Sequence, residues 1–192
     1  VINYSNKFST IFMNFRFLIF LFITNSLNAQ KNNVPNILLI NIDDMGWKDV
    51  GFMGSEYYET PNIDKLAKQG MIFTNGYAAA ANCSPSRASL MTGLWTTRHG
   101  IYTVGSSERG NVRDRKLIPI KNKRSLSNNF KIIPQVLKEY GYTTCHAGKW
   151  HLTNDPKKFG FDFNIGGSHS GFPKSYYPPY KNVDIEKGEN DY

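Results

Sequence analysis

The clearest indication of fold class is the segment Asn36-Ile37-Leu38-Leu39-Ile40-Asn41-Ile42-Asp43-Asp44. Its first seven residues form an apolar run rich in β-branched isoleucine. Such a run predicts a strand buried on both faces, as in parallel sheets. The run ends abruptly in Asp43 and Asp44, so we expect these two carboxylates at the carboxyl edge of the sheet, where open α/β folds place their reactive groups.

Helix and strand signals alternate downstream of this run. Helices are predicted over 61–70, 86–94 and 132–140, and strands over 71–74 and 142–147. This alternation predicts an α/β fold with a mainly parallel sheet flanked by helices. Two segments are predicted to be long surface loops, because 104–129 is basic with few large apolar side chains and 166–192 is rich in Gly, Pro and Tyr.

Composition limits the class of protein. The chain has 192 residues, of which 40% are hydrophobic, enough for one packed domain and unlike a disordered or collagenous protein. Two cysteines are too few for a disulfide scaffold. The 23 Lys and Arg exceed the 15 Asp and Glu and give a formal net charge of +8, which favours anionic partners without choosing among nucleic acid, membrane and a sulfated or phosphorylated substrate.

The first 29 residues have the pattern of a signal peptide. Arg16 precedes the apolar run 17–23, and Ala29 supplies a small residue before the cleavage site. The apolar run is too short for a stable membrane span, although an amphipathic or core helix is an alternative. We expect translation to start at Met13 and the product, residues 30–192, to be exported to the periplasm or the extracellular space.

Asp43 and Asp44 are candidate metal ligands. Two adjacent carboxylates after an apolar strand repel each other unless a cation neutralises them, and carboxylate oxygens suit hard ions such as calcium or magnesium. The alternative is that one carboxylate caps a turn and the other is solvated.

Cys83 is a candidate nucleophile. It precedes a predicted helix, and Arg87 follows one helical turn later, so the helix dipole and the guanidinium would both stabilise an anion there. A buried structural cysteine is the alternative.

Four ordered motifs resemble those of one enzyme family. Cys83-Ser84-Pro85-Ser86-Arg87, followed by Thr92-Gly93, resembles the maturation signature of the type I sulfatases, in which this cysteine is oxidised to Cα-formylglycine. The segments 36–47, 60–67 and 148–152 resemble the family's first strand with its carboxylate pair, its first helix and its sulfate-site Lys and His. The resemblance covers about residues 34–165 and implies an alkaline-phosphatase-like fold.

The resemblance also implies a role for each matched residue. Asp43, Asp44 and the modified Cys83 would ligate one divalent cation, usually Ca²⁺, with Arg87 beside the formylglycine. Lys149 would contact the sulfate and His151 the formylglycine hydroxyl. Because Ca²⁺ takes about six to eight oxygens, we expect further ligands and a general acid beyond Tyr192. The chain is therefore expected to be the N-terminal part of a catalytic domain, incomplete at its C-terminus and inactive alone.

The implied reaction is hydrolysis of sulfate esters. The hydrated aldehyde is a geminal diol; one hydroxyl attacks sulfur and expels the alcohol, and loss of the second hydroxyl's proton then releases sulfate and restores the aldehyde. Sulfated small molecules or polysaccharides are the expected substrates, and a formylglycine-generating enzyme is the expected maturation partner.

His169, in the glycine-rich loop 166–171, could touch a sugar or lie in an ordinary surface loop. Tyr176, Tyr177 and Tyr180 could stack on sugar rings.

Two other functions stay open. A related phosphoesterase or phosphotransferase would use Ser or Thr and two zinc ions, which the cysteine motif disfavours. A non-catalytic anion-binding module would use the basic side chains of the predicted loop 104–129, namely Arg109, Arg113, Arg115, Lys116, Lys121, Lys123 and Arg124. No aromatic residues interleave them, so nucleic acid is not an expected partner.

Three other residues are expected to be structural. His99 and His146 lack a matching catalytic motif. Cys145 lies in an apolar predicted strand and is expected to be buried and unpaired with Cys83.

Overall fold

The computed structural model describes residues 34–177, 180 and 181. The chain divides into two units, 1–41 and 42–192, and each is described by itself. The predicted signal peptide over 1–29, with its start at Met13, lies outside the described residues. In the first unit, residues 34–41 are exposed and without regular secondary structure.

The two strands predicted over 36–42 and 71–74 are not formed. Both segments lack strand structure, and 85% of Leu38 and 78% of Phe73 are exposed. A strand exists only through hydrogen bonds to a neighbouring strand. Within the described residues neither segment has such a neighbour, so apolar composition alone does not produce the element.

Four α-helices are described: α1 over Pro61–Gln69, α2 over Cys83–Thr92, α3 over Thr96–His99 and α4 over Ile133–Glu139. The three predicted helices are confirmed, but α2 begins three residues earlier than predicted and α3 was not predicted. Helix α2 ends at Gly93, whose φ of 68° allows its N–H to bond the carbonyl of Ser89. This left-handed C-cap is the stop that glycine supplies at little cost.

The described sheet has two strands, β1 over Cys145–Ala147 and β2 over Phe163–Ile165. They pair in parallel, with Cys145 opposite Phe163. A parallel pair was predicted, but the strand expected over 142–147 is confined to its last three residues. Cys145 is free and exposed, so the expectation of a buried side chain was wrong. Among the described residues nothing covers its face of β1, whereas the opposite face, carrying His146, packs on aromatic side chains.

The core forms from α2 and the chain that follows it. Trp150, Leu152 and Ile101 are each at most 1% exposed. The other members of this cluster are Ala88, Leu126, Ile132 and Phe159. Helix α2 and the segment after β1 therefore share one core, and this fixes the residues on them relative to each other.

The segment predicted to be a basic loop is irregular apart from a 3₁₀ turn over Val112–Asp114. Asn122 ties it down: its Oδ1 accepts from the N–H of Tyr102 at 2.7 Å, and its Nδ2 donates to the carbonyl of Thr103 at 2.9 Å. The side-chain amide of Asn122 thus forms hydrogen bonds with backbone groups that a neighbouring strand would otherwise bind. Further 3₁₀ turns cover Gly51–Met53 and Pro156–Phe159.

Candidate active site

Cys83 is the first residue of α2, where the helix leaves backbone N–H groups without intrahelical partners. The preceding residue, Asn82, is extended and its side chain makes no capping hydrogen bond. Cys83 itself is partly buried and free. Ser84 and Pro85 after it are buried. The first turn of α2 is therefore packed in the core, with residue 83 at the edge of that core.

Asp43 lies between two basic side chains. Its Oδ1 accepts from Arg87 Nη2 at 3.0 Å, and its Oδ2 accepts from Lys149 Nζ at 2.5 Å. Burial opposes ionisation of this carboxyl, but the hydrogen bonds and charges of Lys149 and Arg87 outweigh it and lower the pKa of Asp43 below 3.8. Asp43 is thus held as a carboxylate.

Lys149 follows β1 and is held toward Asp43. Burial favours its neutral form, yet the hydrogen bonds to Asp43 and to Cys83 outweigh burial and raise the pKa of Lys149 above 10.5. Side chains of this segment alternate between the core and the site. Trp150 and Leu152 are buried in the core, and this turns Lys149 toward the site. Trp150 is fixed by an Nε1 hydrogen bond of 2.8 Å to Thr153 Oγ1.

Arg87 connects the helix to both other parts of the cluster. Its Nη1 donates to the carbonyl of Lys149 at 2.5 Å while Nη2 binds Asp43. The side chain is only 11% exposed. A guanidinium presents several donors in a rigid plane, which allows it to hold two partners at once. Its buried Nε has no hydrogen-bond partner among the described residues.

His151 adopts a strained backbone conformation next to this cluster. Its φ is 60°, a region that costs a non-glycine residue of order 1–3 kcal/mol and is enriched at functional sites. Burial, followed by the nearby charges of Lys149, His169 and Arg87, lowers the pKa of His151 below 6.5. The ring centroids of His151 and His169 are 6.2 Å apart, so loop 166–171 reaches the site.

The donor set fits a divalent cation. Asp43, Asp44 and Cys83 each offer a ligand atom, and these atoms lie within 4.8 Å of one another. Asp44 reaches this place with a left-handed φ of 56°. Two carboxylates suit a hard ion, whereas a thiol suits a soft one. Replacing the thiol by an oxygen would therefore make all three donors hard.

The structure thus brings together five of the residues predicted from sequence: Asp43, Asp44, Cys83, Arg87 and Lys149. His151 lies close enough to feel the charges of Arg87, Lys149 and Asp43, and His169 faces His151. Sequence reasoning missed the contribution of Gly171, beside the His151 ring. The glycine-rich composition of 166–171 was the available signal.

His99 is part of the packing instead. It is 1% exposed; Ile101 N–H donates to its Nδ1 at 3.1 Å, and its Nε2 lies 3.0 Å from Ser89 Oγ. Because Nδ1 accepts, Nε2 must carry the proton of the neutral ring and donate to Ser89. His99 therefore ties α3 to α2. His146 packs edge to face against Trp150 and Phe161.

The site combines a pair of carboxylates with the basic side chains of Arg87 and Lys149 and with a cysteine at the N-terminus of a helix. This combination defines a class of site that binds anions. The profile of the Sulfatase family matches residues 35–191. The chain therefore belongs to the sulfatase family.

Curated relatives agree with this assignment. The chain is 39% identical to rat N-acetylgalactosamine-6-sulfatase over 160 residues, which is 81% of this chain and 29% of the relative. It is 37% identical to mouse arylsulfatase G over 156 residues, 76% of this chain and 27% of the relative. The chain thus spans less than a third of the length of these relatives.

Solved structures confirm the predicted fold class. Ps i-CgsB in complex with k-i-k-neocarrahexaose matches with a TM-score of 0.53 and 36% identity, over 66% of this chain and 27% of that protein. A protein from Bacteroides thetaiotaomicron, connected with the metabolism of multiple glycosaminoglycans, matches with a TM-score of 0.52 and 29% identity over 64% and 26%. The α/β, alkaline-phosphatase-like class follows from this likeness.

Proposed function

We propose that this chain is the N-terminal part of a sulfatase catalytic domain that hydrolyses sulfate esters through a formylglycine formed from Cys83. One observation carries the proposal: Arg87 and Lys149 converge on Asp43 beside Cys83, at the N-terminus of α2. A sulfate ester needs a nucleophile together with positive charge for its nonbridging oxygens. The cluster offers both within one site.

The chain's own basic groups bind and orient the anion in this proposal. Lys149 neutralises a sulfate oxygen as a point charge. Arg87 holds the backbone of Lys149 through Nη1 and adds a second positive charge beside Asp43 through Nη2. Such groups, fixed before substrate arrives, need no reorganisation during the reaction. His151 is proposed to hold a proton of the formylglycine hydroxyl.

Asp43, Asp44 and the oxygen of modified residue 83 are proposed to hold one divalent cation, which we take to be Ca²⁺. When bound, the cation would supply positive charge that acidifies the nucleophilic hydroxyl and offsets the sulfate's charge. The three residues provide fewer than the six to eight oxygens that Ca²⁺ takes, so the proposal expects more ligands from the rest of the domain. Formylglycine would be introduced by a formylglycine-generating enzyme.

The proposed substrate is a sulfated glycan. Similarity to N-acetylgalactosamine-6-sulfatase and to a structure with bound neocarrahexaose supports a sulfated sugar as substrate. His169, facing His151, is the proposed sugar contact.

Export is proposed from the signal-peptide pattern in residues 1–29, together with a periplasmic or extracellular location. Among the described residues, none of the helices combines the length and apolarity needed to cross a bilayer.

The test is turnover by the complete gene product, coexpressed with a formylglycine-generating enzyme. We expect release of sulfate from sulfated oligosaccharides, and loss of that release in Cys83→Ala, which cannot form the aldehyde. Cys145→Ala is the matched control, because Cys145 is free and, in the described part of the chain, exposed. It should keep wild-type turnover.

The same preparation separates the alternative activity. Hydrolysis of phosphate monoesters at a rate equal to or above that of sulfate esters would favour a phosphoesterase and contradict the proposal. Retained sulfate release in Cys83→Ala would contradict the role of Cys83.

A further inference from the structure

Loop 166–171 supports His151 from two directions. Along the backbone, the N–H of His151 donates to the carbonyl of Ser168 at 2.9 Å. Against the ring, a Cβ built on Gly171 would lie 2.8 Å from His151 Cε1 and 3.2 Å from Nε2. Real Cβ atoms do not approach other heavy atoms closer than 3.0 Å, so the ring occupies space that any other residue at 171 would fill.

The backbone of Gly171 does not itself demand glycine. Its φ lies outside the left-handed region, unlike that of Gly166 at 74°. The close approach of the imidazole is therefore the reason for glycine at this position. An alanine there would fit the backbone and conflict with the ring alone.

The backbone of His151 is strained in the conformation that this loop holds. With a φ of 60°, the residue persists only where its surroundings over-determine it. The hydrogen bond to Ser168 and the contact with Gly171 are two such restraints, while Trp150 and Leu152, on either side in sequence, are buried in the core. Core and loop together fix the direction of the imidazole.

We propose that loop 166–171 is a positioning device for His151, in which the Ser168 carbonyl fixes the backbone and the missing side chain of Gly171 leaves room for the ring. The proposal rests on the proposed function, because it matters for turnover only if His151 acts on the reacting group. Gly171 is a positioning residue: it acts through His151 and touches no substrate.

The test compares Gly171→Ala with the matched control Gly76→Ala in the complete, formylglycine-bearing protein. A Cβ at Gly76, where φ is also outside the left-handed region, would meet its nearest atom at an ordinary 3.4 Å. We expect kcat of Gly171→Ala to fall by about 10-fold, less than the 10²-fold cost of a full 1 Å displacement, because the imidazole needs to shift by only a few tenths of an ångström. KM and the Kd for inorganic sulfate should stay within about twofold of wild type, because Arg87 and Lys149 keep their contacts. A parallel loss of sulfate affinity, or an unchanged kcat, would overturn the proposal.

The double variant His151→Ala/Gly171→Ala separates this proposal from the proposed function. Removing the ring removes the conflict, so Gly171→Ala should change kcat by less than about twofold in the His151→Ala background. A further large loss there would show that Gly171 acts elsewhere and would overturn the positioning role alone. Full activity of His151→Ala would instead contradict the catalytic role of His151. If Gly171→Ala folds poorly, His151→Ala must restore its Tm; failure to restore it would overturn the proposal.

Discussion

For single residues, sequence motifs predict which side chains share a site, as they do for Arg87, Asp43 and Lys149. The motifs predict that all three belong to one site, and the structure brings them into contact. They do not predict that Asp43 forms ion pairs with both basic groups, since 44 and 106 residues separate the partners. Nor does sequence predict the left-handed φ of Asp44 and His151, because non-glycine residues take this conformation only when their surroundings impose it.

Asp43→Asn and Asp44→Asn test the metal assignment. Each variant replaces a charged oxygen ligand by a neutral amide, so we expect turnover to fall by at least about 10²-fold, the largest loss usually seen when only the hydrogen-bond partner of a metal ligand is removed. Added Ca²⁺ should raise the Tm of wild type more than that of either variant, because at a given ligand concentration tighter binding stabilises the folded state more. Turnover with varied Ca²⁺ and thermal unfolding are the measurements.

Asp114→Asn is the control for these substitutions, since Asp114 lies in the surface 3₁₀ turn of the basic loop. It should keep wild-type turnover and the wild-type response to Ca²⁺. Full activity of either Asp43→Asn or Asp44→Asn would exclude the assigned metal site.

At the scale of elements, helices were more predictable than strands. Helix α1 follows from Pro61 in its first turn, and α2 from the glycine that ends it; these are local signals. Strands depend on distant partners, so the apolar runs over 36–42 and 71–74 did not suffice. Strand β2 was not predicted, because three residues are too short for a period-two pattern to be recognised.

Asp162 joins α4 to the two strands and gives a pH-dependent prediction. Its Oδ1 accepts from Lys138 Nζ at 2.6 Å, and its Oδ2 accepts from Thr144 N–H at 2.8 Å. The hydrogen bond from Lys138, followed by that from the Thr144 backbone, lowers the pKa of Asp162 from 3.8 to about 2. Ionised Asp162 therefore contributes stability that is fully present above pH 3.8 and is lost as the pH falls through about 2.

We expect Asp162→Asn to lower Tm at neutral pH and the difference from wild type to shrink as the pH falls from 3.8 toward 2. Thermal unfolding from pH 7 to pH 2 measures this difference, with Asp114→Asn as control. A Tm difference as large at pH 2 as at pH 7 would contradict the role given to the Asp162 carboxylate.

In the molecule as a whole, the described residues form one buried core and, apart from it, a large exposed apolar surface. An open groove of about 940 Å³ is lined by apolar side chains that include Met45, Trp47, Phe52, Leu66 and Phe73. Leu66 belongs to α1, and 63% of it is exposed among the described residues. Amphipathic spacing predicts which face of a helix is apolar, but coverage of that face depends on other segments.

The mass of the peptide that carries residue 83 shows whether this residue becomes formylglycine. Trypsin releases residues 69–87 as one peptide ending at Arg87, and its mass can be determined in active enzyme from cells that contain the maturation enzyme. We expect a peptide lighter than the unmodified one by a sulfur and two hydrogens and heavier by one oxygen, with an aldehyde that reacts with hydrazide reagents. Fully active protein in which Cys83 is intact and alkylated by iodoacetamide would exclude formylglycine as the nucleophile.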